Sequence, residues 1–327
     1  MSGLRIFHRL EDVPPDFGPC AITIGNFDGL HVGHRRIMQR VVQVARDQGW
    51  KASALTFDPH PARIVAPDRA PKLLSTPEQR VQSMAEEGIR EVLILPFTRE
   101  LSHLSPEEFV SWILHDRLQA KAVLVGDNFR FGYRHSGDVR LLRQLGTRYG
   151  FVTEIVGAIR LRGRVVSSSE TRRLIEAGDV SAAARLLGRP YGLEGQVVTG
   201  HGIGKKQTVP TLNLATAAEI LPRTGVYVTS TRDLDSDRRW DSVTNVGYRP
   251  TFGGDDKISI ETYLLSEYDG PEPRRIRVDF LHRLRDEKKF DSPEALKSQI
   301  MTDVKHTLAW YRRARRWAPA AEVCVSR

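Results

Sequence analysis

The residues with the clearest chemical potential are two histidines placed three positions apart in a glycine-rich stretch. A short apolar run at residues 21–24 leads into GNFDGLHVGH, residues 25–34, and a helical pattern follows at once. Glycines let a backbone approach a phosphate closely, and the free N–H groups and dipole of a helix N-terminus attract the anion. His31 and His34 can share one helix face, where two imidazole donors would stabilise charge that develops during nucleotidyl transfer.

Two other interpretations of these histidines stay open on the motif alone. Histidines at this spacing could bind a metal ion, although the sequence offers no obvious third and fourth ligand nearby. They could also serve only to cap and pack the helix that follows them.

A second glycine-rich loop, within GQVVTGHGIGKK at residues 195–206, carries positive charge. Backbone N–H groups of such a loop can wrap phosphates, but it lacks the G-K-[ST] ending of a Walker A motif, and flexible hairpin loops look the same.

Thr211 and Asn213 follow this loop. Because they lie two apart on a predicted strand, their side chains point to the same side. Their oxygens are hard ligands, suited to the Mg²⁺ that accompanies ATP.

Glu261 is a single carboxylate inside the apolar strand pattern of residues 259–265. On its own it is equally a general base or a side chain on the solvent face of a strand.

The elements that must position the histidine site alternate between strands and helices. This alternation predicts an α/β fold with a doubly wound, Rossmann-like parallel sheet, whose ligands sit beyond the carboxyl ends of the strands. A helix through Leu118 is predicted to begin at Ser105, because Ser105 suits the N-cap, Pro106 the first turn and Glu108 the third helical position. Short apolar runs predict strands at residues 21–24, 52–57, 91–97, 122–126 and 151–156, and apolar periodicity predicts helices at residues 35–48 and 77–87.

After about residue 186 extended runs follow one another with little helix between them. Glycine and proline punctuate these runs, which predicts an antiparallel β-barrel or sandwich. Apolar residues at spacing four then predict a closing helix at residues 292–316. With a linker at residues 188–192, the predicted domains are 1–187 and 188–327. The predicted strands lie at residues 193–199, 225–231, 242–246, 259–265 and 274–281.

Composition narrows the class of protein. The 327 residues include two cysteines, and no apolar run of 18 residues or secretory signal is seen, so we expect a cytoplasmic protein without a membrane span. The formal charge of +9 suits either nucleic acid or anionic small substrates. The basic run YRRARRW, residues 311–317, also fits the solvated end of a last helix, so nucleic-acid binding is the weaker alternative.

Taken together, these stretches resemble the prokaryotic bifunctional riboflavin kinase/FAD synthetase (FMN adenylyltransferase) family. In the first half, residues 25–34 resemble its nucleotidylyltransferase signature, and TFDPHP, VGDNFRFG and SSSETR, at residues 56–61, 125–132 and 167–172, resemble three further motifs. In the second half the Pro-Thr-x-Asn motif, the strand glutamate, NVGYRPTF at residues 245–252 and RDEKKF at residues 285–290 resemble its kinase module.

The resemblance implies an N-terminal FMN adenylyltransferase domain and a C-terminal β-barrel riboflavin kinase domain, with roles for matching residues. It implies substrates ATP, riboflavin and FMN, products FAD and pyrophosphate, Mg²⁺ as part of the ATP complex, and neither a tightly bound protein metal nor a nucleic acid. Self-association is left open.

The implied catalytic residues are Glu261 as the base and His31, His34, Asn128 and Arg130. The implied ATP and phosphate contacts are Gly25, Phe27, Asp28, Gly33, Ser168, Ser169, Arg172, Gly202, Gly204 and Lys205. The implied flavin contacts are Asn128, Phe129, Phe131, Arg249 and Arg285, with Thr211 and Asn213 toward the metal.

Two departures from the family pattern bear on activity. The stretch before Asn213 reads QTVPTLN where the family usually has LGFPTAN, and Glu170 stands where the family commonly has arginine. A carboxylate near ATP phosphates would repel them unless Arg172 and Arg173 offset it. A chain with only one live activity, of which the kinase is the favoured one, is therefore an alternative to the bifunctional enzyme.

Overall fold

The computed structural model describes residues 3–198, 211–249, 257–266 and 271–317. The chain divides into two compact units, Met1–Ser168 and Ser169–Arg327. This division precedes the predicted domain boundary at residue 187, and the boundary itself stays a prediction.

The first unit is built on a six-stranded parallel sheet. Its strands are β1 (Arg5–Phe7), β2 (Cys20–Ile24), β3 (Lys51–Asp58), β4 (Glu91–Pro96), β5 (Ala120–Gly126) and β6 (Val152–Val156). They are ordered β1-β4-β3-β2-β5-β6, so the predicted doubly wound sheet is confirmed. The strand β1 was not predicted, because a partly exposed three-residue strand has no apolar run to reveal it.

Helices connect these strands. They are α1 (Val32–Gln48), α2 (Pro61–Val65), α3 (Pro77–Glu86), α4 (Arg99–Ser102), α5 (Pro106–Glu108, continuing as a π-helix over Phe109–Arg117) and α6 (Val139–Tyr149). The predicted start at Ser105 is confirmed, since its side chain and that of Glu108 form a reciprocal capping box. The wider π-helical turn over residues 109–117 was not predicted, and such turns often mark functional regions. A small hairpin, β7 (Arg160–Leu161) and β8 (Arg164–Val165), follows β6.

The sheet reverses its winding direction at β2. This strand pairs with β3 on one side and β5 on the other, so the chain segments that leave β2 and β5 diverge. A crevice forms at such a switch point, beyond the carboxyl ends of the strands. The loops that start at Gly25 and Asp127 lie there.

The described part of the second unit is a closed antiparallel barrel of six strands with flanking helices. Its elements are α7 (Ser168–Glu176, which begins at the last residue of the first unit), α8 (Val180–Leu187), β9 (Tyr191–Val198), β10 (Leu212–Ala215), β11 (Gly225–Asp233), β12 (Arg239–Arg249), β13 (Lys257–Leu264), β14 (Arg275–Arg285) and α9 (Pro293–Trp317). The barrel order is β10-β13-β12-β11-β14-β9. Of the two predicted architectures, the barrel is the one observed, with its closing helix, and the strand expected to carry Asn213 is the short β10.

Hydroxyl groups, rather than apolar side chains alone, fill one face of β11, β12 and β13. Thr231, Ser242, Thr229, Thr244 and Thr262 are fully buried and form a chain of hydrogen bonds of 2.7 to 3.0 Å. Satisfied in this way, buried hydroxyls cost little. Because side chains alternate along a strand, the neighbouring residues 245 and 261 face the opposite side.

Within the described ranges, no helix combines the length and the apolar character that a membrane crossing requires.

Candidate active sites

The turn between β2 and α1 brings the two predicted histidines into direct contact. His31 is the N-cap of α1, and its Nδ1 accepts a hydrogen bond from the backbone N–H of His34 at 3.2 Å. The two imidazole rings stack with their centres 3.6 Å apart and their planes inclined by 16°. A Cβ atom on Gly33 would lie 3.1 Å from the His31 ring, so glycine leaves the room that this stacking needs.

Burial keeps both imidazoles neutral at physiological pH. It lowers the pKa of His31 to about 4, and it lowers the pKa of His34 well below its usual range, with His31 adding to the effect. Because Nδ1 of His31 accepts a hydrogen bond, we assign the proton of the neutral ring to Nε2. Among the residues that the structure describes, Nδ1 of His34 has no hydrogen-bond partner.

Asp28 and Phe27 shape the turn from within. The Asp28 carboxylate accepts hydrogen bonds from the backbone N–H groups of Leu74 and Ser75, at 3.0 and 3.1 Å. Its buried position suits a group that fastens the turn to this segment. Phe27 has a left-handed backbone with φ of 49°, and its ring folds back over Gly25.

A cavity of about 710 Å³ opens beside this turn, at the carboxyl ends of β2, β3 and β5. The predicted flavin residues Asn128, Phe129 and Phe131 line it together with Gly25 and Arg130. The rings of Phe129 and Phe131 stack with centres 5.5 Å apart, and Arg130 donates a hydrogen bond to the carbonyl of Phe129 at 2.9 Å. The cavity therefore combines aromatic walls with positive charge.

Contacts of two further side chains, Arg80 and His60, hold the strand ends of this cavity. Arg80, from α3, is buried and donates a hydrogen bond to the carbonyl of Asn26 at 2.8 Å and to that of Phe57 at 3.3 Å. The side chains of Asn26 and His60 meet at 3.0 Å. Nothing in the sequence pointed to Arg80, because an arginine in an amphipathic helix is normally exposed, whereas His60 belongs to the TFDPHP motif.

The beginning of α7 carries the remaining residues of the predicted phosphate turn. The hydroxyl of Ser168 donates to the backbone carbonyl of Asp28 at 2.9 Å, within the first unit. Ser169 and Arg172 lie in the first turns of α7. The Glu170 carboxylate accepts two hydrogen bonds of 2.8 Å from the guanidinium of Arg173, so a neighbouring arginine does offset this charge.

In the barrel, a row of polar residues crosses three neighbouring strands. Asn213 in β10 lies directly opposite Glu261 in β13, and Glu261 lies opposite Asn245 in β12. Directly opposed residues of an antiparallel pair project from the same face, with Cβ atoms about 5 Å apart. Asn213 is buried and Glu261 half-buried, and Thr211 immediately precedes β10. The barrel thus assembles a carboxylate and hard oxygen donors that are distant in sequence.

The other predicted residues of the barrel differ in how far the structure describes them. The guanidinium of Arg285 forms a bidentate ion pair with the buried Asp303 of α9, with the closest contact at 2.7 Å. Arg249 is described as the last residue of β12 through its backbone. Gly202, Gly204 and Lys205 lie outside the described residues.

Comparisons with known proteins cover both units. Residues 13–170 match the family model described as FAD synthetase, and residues 187–311 match the one described as riboflavin kinase. A bifunctional riboflavin kinase/FMN adenylyltransferase from Pseudomonas fluorescens is 37% identical over 92% of this chain and 96% of its own length. The enzyme of the same description from Escherichia coli K12 is 33% identical over 93% and 96%. A solved structure from Streptococcus pneumoniae, described as a macrolide-efflux protein, aligns with a TM-score of 0.82 and 25% identity over 96% of this chain and 99% of that one.

Proposed function

Because the chain belongs to the bifunctional riboflavin kinase/FMN adenylyltransferase family, it converts riboflavin to FMN and FMN to FAD, and we propose which residues carry each step. FMN adenylylation takes place in the cavity of the first unit. Riboflavin phosphorylation takes place along the polar row Asn213–Glu261–Asn245 of the barrel. The observation that carries the second assignment is the register that sets Glu261 opposite Asn213.

In the adenylylation step, the chain acts by positioning and by charge stabilisation. The cavity holds the flavin between its aromatic walls, with the FMN phosphate toward the turn at Gly25. An oxygen of that phosphate attacks the α-phosphorus of ATP, the bond to the β-phosphate oxygen breaks, and pyrophosphate leaves. His31 and His34 enter as neutral rings, so they stabilise the developing charge by donating hydrogen bonds rather than as imidazolium ions. Asn128 and Arg130 orient the reacting groups.

The kinase step needs a base and an electrophile placed in line. Glu261 takes the proton of the riboflavin 5′-hydroxyl as the oxygen attacks the γ-phosphorus of ATP, and the bond to the β-phosphate oxygen breaks to give FMN and ADP. Because Glu261 lies in the middle of the polar row, its carboxylate has an amide residue on either side. Rigid strands hold it in position, which is what proton transfer at hydrogen-bond distance requires.

The donor chemistry beside Glu261 fits the magnesium that accompanies ATP as substrate. Thr211 and Asn213 offer hydroxyl and amide oxygens, which suit a hard cation that keeps several waters and the phosphate oxygens as ligands. The described residues contain no cluster of three or more His, Cys, Asp and Glu side chains that could hold an ion by themselves. We propose that Thr211 and Asn213 bind Mg²⁺ together with ATP.

We also propose a domain boundary and a cellular location for the chain, and we leave its self-association to experiment. A domain boundary near residue 187 is supported by the two family matches, which end and begin at residues 170 and 187. Cytoplasmic location is supported by the low number of cysteines, of which Cys20 is a buried free thiol. Self-association of the chain is tested by its mass in solution.

A product assay tests the proposed function. Purified chain is incubated with riboflavin and Mg-ATP, and flavins are separated by chromatography over time. We expect FMN to appear first and FAD to follow. FMN as the sole product would contradict adenylylation by this chain. Formation of neither product would favour the nucleic-acid alternative, whereas products formed equally well in moderate salt would exclude it, since nucleic-acid binding falls steeply with salt.

A further inference from the structure

Glu287 lies in the segment that follows β14, and it contacts β12 next to the polar row. Its Oε1 accepts a hydrogen bond from the backbone N–H of Tyr248 at 3.2 Å. The side chain is half-buried. This contact joins two stretches far apart in the sequence, NVGYRPTF and RDEKKF, which the structure brings together at one point.

Gly247 provides the space that Glu287 occupies. A Cβ atom at residue 247 would fall on Oε1 of Glu287, closer than real Cβ atoms approach any atom, and would lie 2.9 Å from Nδ2 of Asn245. Gly247 itself pairs in register with Ser259 and has no left-handed backbone, so its conformation alone does not call for glycine. An alanine there would instead displace the Glu287 carboxylate, the free end of a flexible side chain, from its position over residue 247.

The seated carboxylate lies on the face of the barrel that carries Glu261. Asn245 and Gly247 are two apart in β12 and therefore project to the same face, and Asn245 lies opposite Glu261. Glu287 thus occupies the position beyond Asn245 in the same polar surface.

We propose that Gly247 and Glu287 are a matched positioning pair for the kinase step. The missing side chain at residue 247 forms a seat, and the Glu287 carboxylate, held there by the N–H of Tyr248, fastens the segment after β14 beside Asn245. The pair keeps Asn245 and Glu261 aligned without touching the reacting atoms. This proposal rests on the assignment of the kinase step to the polar row.

A double-mutant cycle tests the pair. Glu287→Ala removes the carboxylate, and Gly247→Ala fills its seat, so each should lower kcat/KM for riboflavin phosphorylation by roughly 10- to 100-fold through misplacement of the site. The combined variant should be no worse than the poorer single variant, because both changes undo one contact. Glu287→Gln keeps an acceptor oxygen for Tyr248 and should stay within about fivefold of the parent chain.

Controls separate positioning from loss of fold. FAD formation from supplied FMN, in the same chain, should be unchanged in every variant, and thermal unfolding checks the barrel. Glu294→Ala removes an exposed carboxylate in the first turn of α9 and should leave both activities unchanged. A cycle in which the two losses simply multiply, or Glu287→Ala with normal phosphorylation, overturns the proposal. A parent chain that forms no FMN would instead overturn the proposed kinase function.

Discussion

Asn213 of β10 and Glu261 of β13 are a directly opposed pair across two antiparallel strands of the barrel. The pair places an amide oxygen donor and a carboxylate on one face, as a kinase site for a hydroxyl acceptor requires. The site of the first unit differs in its chemistry, since it places two stacked neutral imidazoles at the first turn of a helix beside an aromatic cavity. Substitutions in one site should therefore leave the activity of the other unchanged.

Replacement of Glu261 by glutamine should abolish most of the kinase step. The amide keeps the shape of the side chain but cannot take a proton, and a positioned general base typically contributes about 10²- to 10⁴-fold in rate. FMN formation from riboflavin should fall by that amount, while FAD formation from supplied FMN stays at the parental rate. Equal loss of both activities would contradict two separate sites.

Replacement of His31 and His34 by alanine should abolish adenylylation. The two stacked rings are the proposed hydrogen-bond donors to the charge that develops on the transferred phosphate. Without them, FAD formation should collapse while FMN accumulates. Because His31 also caps α1, its loss should cost about 0.5–2 kcal/mol of stability. His31→Asn is the matched control, since asparagine caps well but lacks the imidazole. Normal FAD synthesis by His31→Asn would show that the ring only caps the helix.

The lowered pKa of His31 predicts a pH-dependent stability. The unfolded chain binds a proton at His31 near the ordinary pKa of about 6.5, whereas the folded chain binds it near 4. Between these values the unfolded state holds more protons, so the free energy of unfolding falls as the pH is lowered. Urea unfolding at several pH values should show this fall in the parent chain and a smaller fall in His31→Asn. Parallel profiles would mean that His31 titrates normally in the folded protein.

Two fragments of different length test where the barrel domain begins. α8 packs on β14 and β9, and the hydroxyl of Ser181 donates to the carbonyl of Leu281 at 2.8 Å. Val180 and Leu187 of this helix are buried, and a fully buried side chain of this kind contributes about 1.5–3 kcal/mol. A fragment of residues 169–327 should therefore unfold at higher temperature than one of residues 188–327. Equal melting temperatures would support the later boundary.

Local patterns in the sequence predicted most of the architecture, because buried parallel strands and capped helices have strong local signals. The run at residues 21–24 and the capping box at Ser105 are examples. The strand β1 escaped detection because it is short and is fixed by its partner β4 rather than by its own composition.

The candidate sites show the same limit. Sequence spacing predicted that His31 lies beside His34, which the stacked rings confirm, because the pair is local. That Thr211 lies on the side of Asn213 stays a prediction. Spacing could not show that Glu261 lies opposite Asn213, because the register of a barrel depends on all its strands. The buried position of Arg80 beneath the turn at Asn26 is likewise set by tertiary packing.

The central claim is that one chain carries two independent sites. The most direct test mixes two variants, each of which lacks one of the two activities. Glu261→Gln cannot make FMN, and the His31→Ala/His34→Ala variant cannot use it, so neither alone should form FAD from riboflavin and Mg-ATP. FMN released by the His31→Ala/His34→Ala variant can diffuse to the Glu261→Gln variant, which adenylylates it. The mixture should therefore form FAD, as chromatography of the flavins would show. FAD from either variant alone, or none from the mixture while FMN accumulates, would contradict the account.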